Sequence, residues 1–465
     1  MGETILVMKK IMPYQKLEEE IKNQAAFACS LRYEDIPEKV RMRARYVLLD
    51  SVGCILKGLN GQTVSSSFDD AVMETSAAML STELYEGNRF ACGHPACHIV
   101  PMMLEYLRRH DVSERKVLTA FVAAYEIAAR WGSAVRFERT ILGHGTVMTA
   151  GAAVAFSLLE NDDESTVTQS ILLANSLPML SVWQTVYDGS RLHDAYPGLA
   201  ALNGIRAVKM ARQGYYSTGR IILDVYENKM RATACFDNLD KGLLSEDAGN
   251  GKTDYLLLKN YFKLFTGCRF IHPFADVVQE EMEHGLTEDE ISSIEVYTYE
   301  KAAQLNECNI PNDLSAKFSM SISIAAQLVR GNLGVDEIHD CMLDPKIMDL
   351  SGRIKLFHDG HYDECLPDLR GGRIRIIKKN GSEIVRETLH ARGDIDYPGE
   401  TFETDVKKKF SRNVVRYLNR SQTMIEEKNI LKMGEEEKKI AQETFHFCLE
   451  GTAERKKEKM CLKTG

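Results

Sequence analysis

The chain lacks most of the features that settle a protein's class at a glance. Its 465 residues contain no apolar run of the ~18 residues a membrane span needs; the longest is broken by Glu126 and Arg130. A membrane-spanning helix is therefore excluded. There is no HExxH and no repeated CxxC, and the eleven cysteines are scattered from Cys29 to Cys461. That pattern suits reduced, buried thiols rather than a disulfide framework. Nor is there an excess of basic charge: 58 Lys+Arg against 67 Asp+Glu leave a formal charge of −9. The short basic runs at 407–409 and 455–459 sit among acids and read as solvated surface, so general affinity for nucleic acid is excluded. The N-terminus, MGETILVMKKIMPYQ, has neither the apolar length nor the cleavage signal of a secretory leader, and the expected location is cytoplasmic. No internal repeat is found, and only the charged tail at 426–465 approaches low complexity.

What the chain has is length and helical patterning. At 44% hydrophobic and 27% charged residues, it is an ordinary globular sequence long enough for two or three domains. Val40, Ala44, Val47, Leu48, Val52, Ile55, Leu56 and Leu59 fall on one helical stripe, and residues 117–131 are apolar nearly all round. In that second helix Glu126 and Arg130 are four residues apart and predicted to pair. Segments 149–156 and 198–214 carry small residues at helical spacing, with Gly198 opening the second helix and Gly214 as its cap. The pattern changes after about residue 265. Ile294, Val296 and Thr298 alternate with polar neighbours as in a half-buried strand, Asn380-Gly381 marks a hairpin, and 316–329 reads as a helix. The predicted organisation is a helical domain over 1–262, a smaller α+β domain over 263–399, and C-terminal helices over 400–465 that return to the first. The fold class is mainly α with an α+β second domain.

Several residues stand out chemically. His94-Pro95 opens a helix, placing an imidazole at its N-terminus. His94 and His98 have a spacing used by zinc sites, with Cys92 and Cys97 nearby, but without the glutamate or cysteine pairs that usually accompany it. Gly143-His144-Gly145 precedes the small-residue helix and is expected at its N-terminus. Arg191-Leu192-His193-Asp194 precedes Gly198, and Lys263, Cys268, Arg269 and His272 cluster where helical and mixed regions meet, a favoured place for a site. Gly249 to Thr253 imitates the end of a phosphate loop without its first glycine and reads as a polar turn. A nucleophilic Cys268 is weighed against a buried, inert thiol.

In order, the segments LLDSVGCILKG (48–58), EGNRFACGHPACHIVP (86–101), AFVAAYEIAAR (120–130), GHGTVMTAGAA (143–153), PGLAALNGIRAVKMARQGY (197–215), KLFTGCRFIHPFAD (263–276) and SAKFSMSISIAA (315–326) resemble the MmgE/PrpD family. That family includes methylcitrate dehydratase, cis-aconitate decarboxylase and iminodisuccinate epimerase. The resemblance implies a large helical domain built from both chain ends, a smaller α+β lid domain, a homodimer, no metal or organic cofactor, and a small polycarboxylate substrate. It places the two family histidines on His94 and His144 and the family lysine on Lys263. A further basic position falls on His193, the usual active-site tyrosine on Ile322, and the acidic stretch before the first histidine is reduced to Glu86 and Asn88. The chemistry it implies is proton abstraction next to a carboxylate, ending in dehydration, decarboxylation or epimerisation. His144 and Lys263 are then expected in proton transfer or charge stabilisation and His94, Arg269 and His193 on substrate carboxylates, with Glu86, Asn88, Arg191 and His272 as further binding candidates. Two other readings are a family-fold protein that binds a carboxylate without catalysis, and a metal-dependent hydrolase built on His94 and His98.

Overall fold

The computed structural model describes residues 13–91, 93–138, 140–234, 239, 254–306, 310–397 and 402–446. Cys92, the turn at 249–253 and the tail beyond 446 lie outside them. Two hydrophobic cores organise the chain. The larger is built by helices Pro13–Ser30, Glu38–Leu59, Phe68–Ser81, Pro95–Leu107, Glu114–Ala134, Thr149–Leu159, Glu164–Ser176 and Leu192–Arg212. The stripe from Val40 to Leu59 faces this core. Helix Glu114–Ala134 lies inside it, as an all-round apolar helix must, and opens on Ser113, whose hydroxyl accepts the Lys116 N–H. Its Glu126 does pair with Arg130, at 3.6 Å. The same carboxylate also accepts the backbone N–H groups of Leu256 and Leu257 at 3.0 and 2.7 Å, so this buried charge is satisfied by more than its ion pair.

The smaller core is α+β. A four-stranded sheet runs in the order Ile354–His358, Ile291–Thr298, Gly372–Lys378, Glu383–Thr388, the first pair parallel and the others antiparallel. Register sets Ile294 between Ile354 and Ile376, and Val296 between Leu356 and Ile374. Ile294, Val296, Ile374 and Ile376 share one buried core with Phe274 and Val278 of helix His272–Glu283 and Ile324 and Leu328 of helix Met320–Arg330. The last two strands are joined at Asn380-Gly381 as the dipeptide predicts, Gly381 having φ +85°.

Three local expectations are corrected. The helix expected over 316–329 is two, Asp313–Lys317 and Met320–Arg330, broken at Phe318 where Ser319 caps the second. Gly198 does not open a helix: the helix runs Leu192–Arg212 with Pro197 inside it. Pro197, in the second turn, cannot donate to the His193 carbonyl and crowds it, yet the helix starts ahead of it at Leu192. The run 407–409 is not all surface. Helix Phe402–Val414 returns to the larger core through Val406, Phe410 and Val414, and Lys409, on the same face, is 2% exposed.

Lys409 Nζ reaches Asp50 Oδ1 at 2.5 Å and also donates to the Leu84 carbonyl. Asp50 Oδ2 in turn accepts the Glu86 N–H at 3.0 Å. This buried pair thus fastens the segment after helix Phe68–Ser81 from behind. Lys409→Met is expected to destabilise the protein by about 3–5 kcal/mol, since it strands a buried carboxylate. Urea denaturation of the variant checks this; an unchanged midpoint would contradict it.

Candidate active site

Between the two cores lies a cavity of about 220 Å³. Its floor comes from the larger core, through Glu83, His94 and His144, and from the junction segment, through Tyr261, Lys263, Cys268 and Arg269. Arg136, Glu138, Lys301 and Arg370 also line it, and aromatic rings of Trp183, Phe270 and Phe318 close the sides. Five cationic side chains against two carboxylates give the lining a positive balance, which favours an anionic ligand.

His94 is the residue before helix Pro95–Leu107, with Pro95 in its first turn. Its Nδ1 lies 2.6 Å from the Glu86 carbonyl oxygen. A carbonyl only accepts, so Nδ1 carries the proton and Nε2 is left with a free lone pair. Burial, reinforced by the Lys263 charge, pulls the His94 pKa down to about 3 against the opposing pull of Glu83. His144 stacks on it, ring centroids 4.9 Å apart and planes 13° from parallel. Burial and the neighbouring imidazoles push its pKa well below the usual histidine range. Both rings are neutral near pH 7. His144 is not at a helix N-terminus, because helix Thr149–Leu159 begins five residues later; Ser181 Oγ donates to its carbonyl at 2.6 Å.

Lys263 is 1% exposed and donates to Glu83 Oε2 at 2.8 Å. The Tyr85 hydroxyl donates to Glu83 Oε1 at 2.6 Å, and His193 Nε2 stands 3.5 Å from it. Burial would raise the Glu83 carboxyl, but Lys263 and His193 outweigh it and bring it down to about 2. Glu83 has φ +49°, rare for a residue with a side chain. Its carbonyl accepts the Gly267 N–H at 3.1 Å. Gly267 itself has φ +106°, and a Cβ there would approach the Lys317 carbonyl oxygen to 2.8 Å, so no other residue fits. Strain at Glu83 is thus held by contacts that tie it to the junction segment carrying Lys263.

The remaining expected site residues divide. Arg269 lines the cavity, but its guanidinium is held by Asp394 at 2.8 Å and by the carbonyls of Ala391 and Arg392. His272 supports it from behind, Nδ1 3.2 Å from Arg269 and Nε2 3.4 Å from the Gly267 carbonyl, and does not line the cavity. His193 is fully buried one layer back, between Glu83 and Asp194 Oδ1 at 3.2 Å. Asn88 is structural: its Oδ1 accepts the Phe90 and Ala91 N–H groups and its Nδ2 donates to the Leu256 carbonyl. The Arg191 side chain is 80% exposed and points to Asp194 from a different cleft; at ~100° per residue, His193, two positions on, lies on roughly the opposite side of the helix start. Ile322 is buried in the smaller core, so no group from that position reaches the cavity.

Glu86 also leaves the cavity. Its Oε1 accepts the Ala96 N–H at 3.0 Å, capping helix Pro95–Leu107, and its Oε2 accepts the Tyr125 hydroxyl at 2.8 Å. Burial raises its pKa to about 8 from an ordinary 4.5. A carboxyl whose folded pKa is raised contributes most below its unfolded value and loses that contribution as pH climbs toward the folded one. Glu86→Gln is therefore expected to flatten the fall in stability between pH 4.5 and 8, read as thermal midpoint against pH. An unaltered profile would contradict this.

His98 is not available to a metal. Its Nδ1 lies 3.0 Å from the His94 carbonyl and its Nε2 accepts the Gly145 N–H at 2.8 Å. Among the described residues, the groups close enough to share a cation are Asp313, His339, Asp340 and His390, Asp394, Asp396; neither includes His94 or His98. Cys268 is buried, which raises its thiol to about 11 and makes it a poor nucleophile. Sequence reasoning missed Glu83, Tyr261 and Arg370, which come from separate parts of the chain and carry no motif.

Two family models match the chain: the MmgE/PrpD N-terminal domain over residues 70–237 and the MmgE/PrpD C-terminal domain over 265–433. A cis-aconitate decarboxylase of Aspergillus terreus (strain NIH 2624 / FGSC A1156) is 22% identical over 409 residues, covering 77% of this chain and 82% of that protein. A second Aspergillus terreus cis-aconitate decarboxylase has the same identity and coverage. No helix among the described residues is long and apolar enough to cross a membrane.

Proposed function

Because the chain belongs to the MmgE/PrpD family, we propose that it is a lyase-type enzyme that moves a proton on the carbon next to a carboxylate of a small di- or tricarboxylate. The observation that carries this reading is the tautomer of His94. A ring locked as an Nδ1 donor to Glu86 presents Nε2 as a base, in a cavity whose cations can receive the carboxylates.

Removing a proton beside a carboxylate drives negative charge onto that carboxylate, so the base must be matched by fixed positive groups. Lys263 supplies one, oriented by Glu83. His94 is held neutral by burial and by Lys263. An incoming polycarboxylate adds negative charge beside it, which makes the ring more basic as substrate arrives. His144, stacked on His94 while Tyr85 packs edge-on against both rings, holds the ring plane and offers a second neutral imidazole for proton transfer. From the carbanion-like state left by proton abstraction the reaction can expel hydroxide or take a proton on the other face; with an unsaturated acid, loss of carbon dioxide itself leaves the electron pair next to the remaining carboxylate, and His94, protonated at Nε2, then delivers the proton that quenches it. Because the Aspergillus relatives are cis-aconitate decarboxylases, decarboxylation of cis-aconitate is the first exit to try.

The test is proton NMR of the purified protein with cis-aconitate, citrate, methylcitrate, malate, tartrate and iminodisuccinate. Turnover of at least one is expected, and the product identifies the exit. Absence of both turnover and binding across the panel would overturn the reading.

A further inference from the structure

Three phenols stand around the corner of the site formed by His94 and Glu86, and two are already committed. Tyr85 donates to Glu83 and Tyr125 donates to Glu86. The third, Tyr261, lines the cavity and is 5% exposed. Among the described residues its hydroxyl has no hydrogen-bond partner, although a buried phenol ordinarily finds one.

The position of that hydroxyl is set by several contacts. Tyr261 pairs with Gly87 in a two-residue antiparallel ladder, Asn260–Tyr261 against Gly87–Asn88. A Cβ on Gly87 would meet the Tyr261 hydroxyl at 2.4 Å and His94 Nδ1 at 2.7 Å. The phenol oxygen and the His94 imidazole therefore both border the space a methyl group on Gly87 would fill, and only glycine leaves it open. Arg269 lies over the Tyr261 ring, 4.7 Å from its centroid, and Lys263 is two residues on. The ring is pinned while its oxygen is uncommitted.

Resting on the function proposed above, we propose that the Tyr261 hydroxyl donates a hydrogen bond to the substrate carboxylate oxygen on which charge accumulates during the reaction. It is thus a catalytic residue of this site. No proton leaves the phenol in this step: the donor stays O–H and the bond strengthens as the acceptor becomes more negative. Burial raises the Tyr261 pKa above the usual tyrosine range, against the opposing pull of Arg370 and Arg269, which suits a group that must remain a donor. A preorganised donor of this kind acts on the transition state more than on the bound substrate.

The experiment compares wild type with Tyr261→Phe, which keeps the packed ring and removes one oxygen. Turnover is followed for whichever panel polycarboxylate the wild type converts fastest. Ground-state binding is followed by calorimetry with tricarballylate, which has neither a double bond nor a leaving group. The expected result is a kcat lower by about 10²–10³-fold, with KM and the tricarballylate Kd nearly unchanged. A kcat close to wild type would overturn the assignment. A Kd that weakens as much as kcat falls would also overturn it, making Tyr261 a substrate anchor. A wild type that neither binds tricarballylate nor converts any panel member would sink the proposed function and this assignment together, whereas a converting wild type with an unaffected variant sinks only the latter.

Discussion

His94→Asn is expected to lower kcat by about 10²–10⁴-fold, the range for loss of a positioned general base, with the fold intact. Asparagine is chosen because its amide nitrogen sits near the place of Nδ1 and can still donate to the Glu86 carbonyl, which His94 Nδ1 reaches at 2.6 Å. What it removes is Nε2. The variant therefore separates two roles that alanine would confuse, support of the 86–94 segment and attack on a substrate proton. Thermal denaturation should show a midpoint near wild type beside a collapsed turnover. Near-normal turnover would mean that the base lies elsewhere, and His144 would be the next candidate because it is stacked within the same pair.

The second large effect is at Lys263. Lys263→Met is expected to lower kcat by about 10²–10³-fold, as removal of one charge-stabilising group does. It should also cost about 3–5 kcal/mol of stability, because Glu83 is left charged and buried. The two losses have different origins and can be separated. Adding Glu83→Gln removes the stranded charge, so the double variant should recover stability while remaining inactive. The pH dependence carries the same signature. Glu83 is held at about 2 against an ordinary 4.5, so its contribution is complete above pH 4.5 and is lost as pH falls toward 2. That acid-side loss should disappear in the double variant. Recovery of activity along with stability would show that the pair serves the fold alone.

Much of the architecture was legible because it rests on local periodicity. The stripe from Val40 to Leu59, the all-round apolar helix around Ala124 and the Asn380-Gly381 hairpin each follow from spacing. His94 was legible for a similar reason, a Pro-marked helix start. Interactions between distant parts of the chain were not. Glu83 matters because it is held in a left-handed conformation facing Lys263, 180 residues away. Glu86, three residues on and of the same type, caps a helix instead. Lys409 sits in a run of three lysines that reads as surface, yet it is the buried partner of Asp50. Arg191 and His193 are two residues apart in sequence, one at the surface and one fully buried. Residue type identified candidates; only the tertiary placement of each side chain distinguishes those that reach the cavity.

The central claim is proton transfer at a carbon next to a carboxylate, with His94 as the base. Its most direct measurement is proton NMR in deuterated water, comparing wild type and His94→Asn on the same polycarboxylate. Solvent deuterium is expected at that carbon in the product of epimerisation or decarboxylation, or in recovered substrate of a reversible dehydration, and its entry is expected to be far slower with the variant. Epimerisation or decarboxylation without deuterium at that carbon, or equal rates for both proteins, would contradict it.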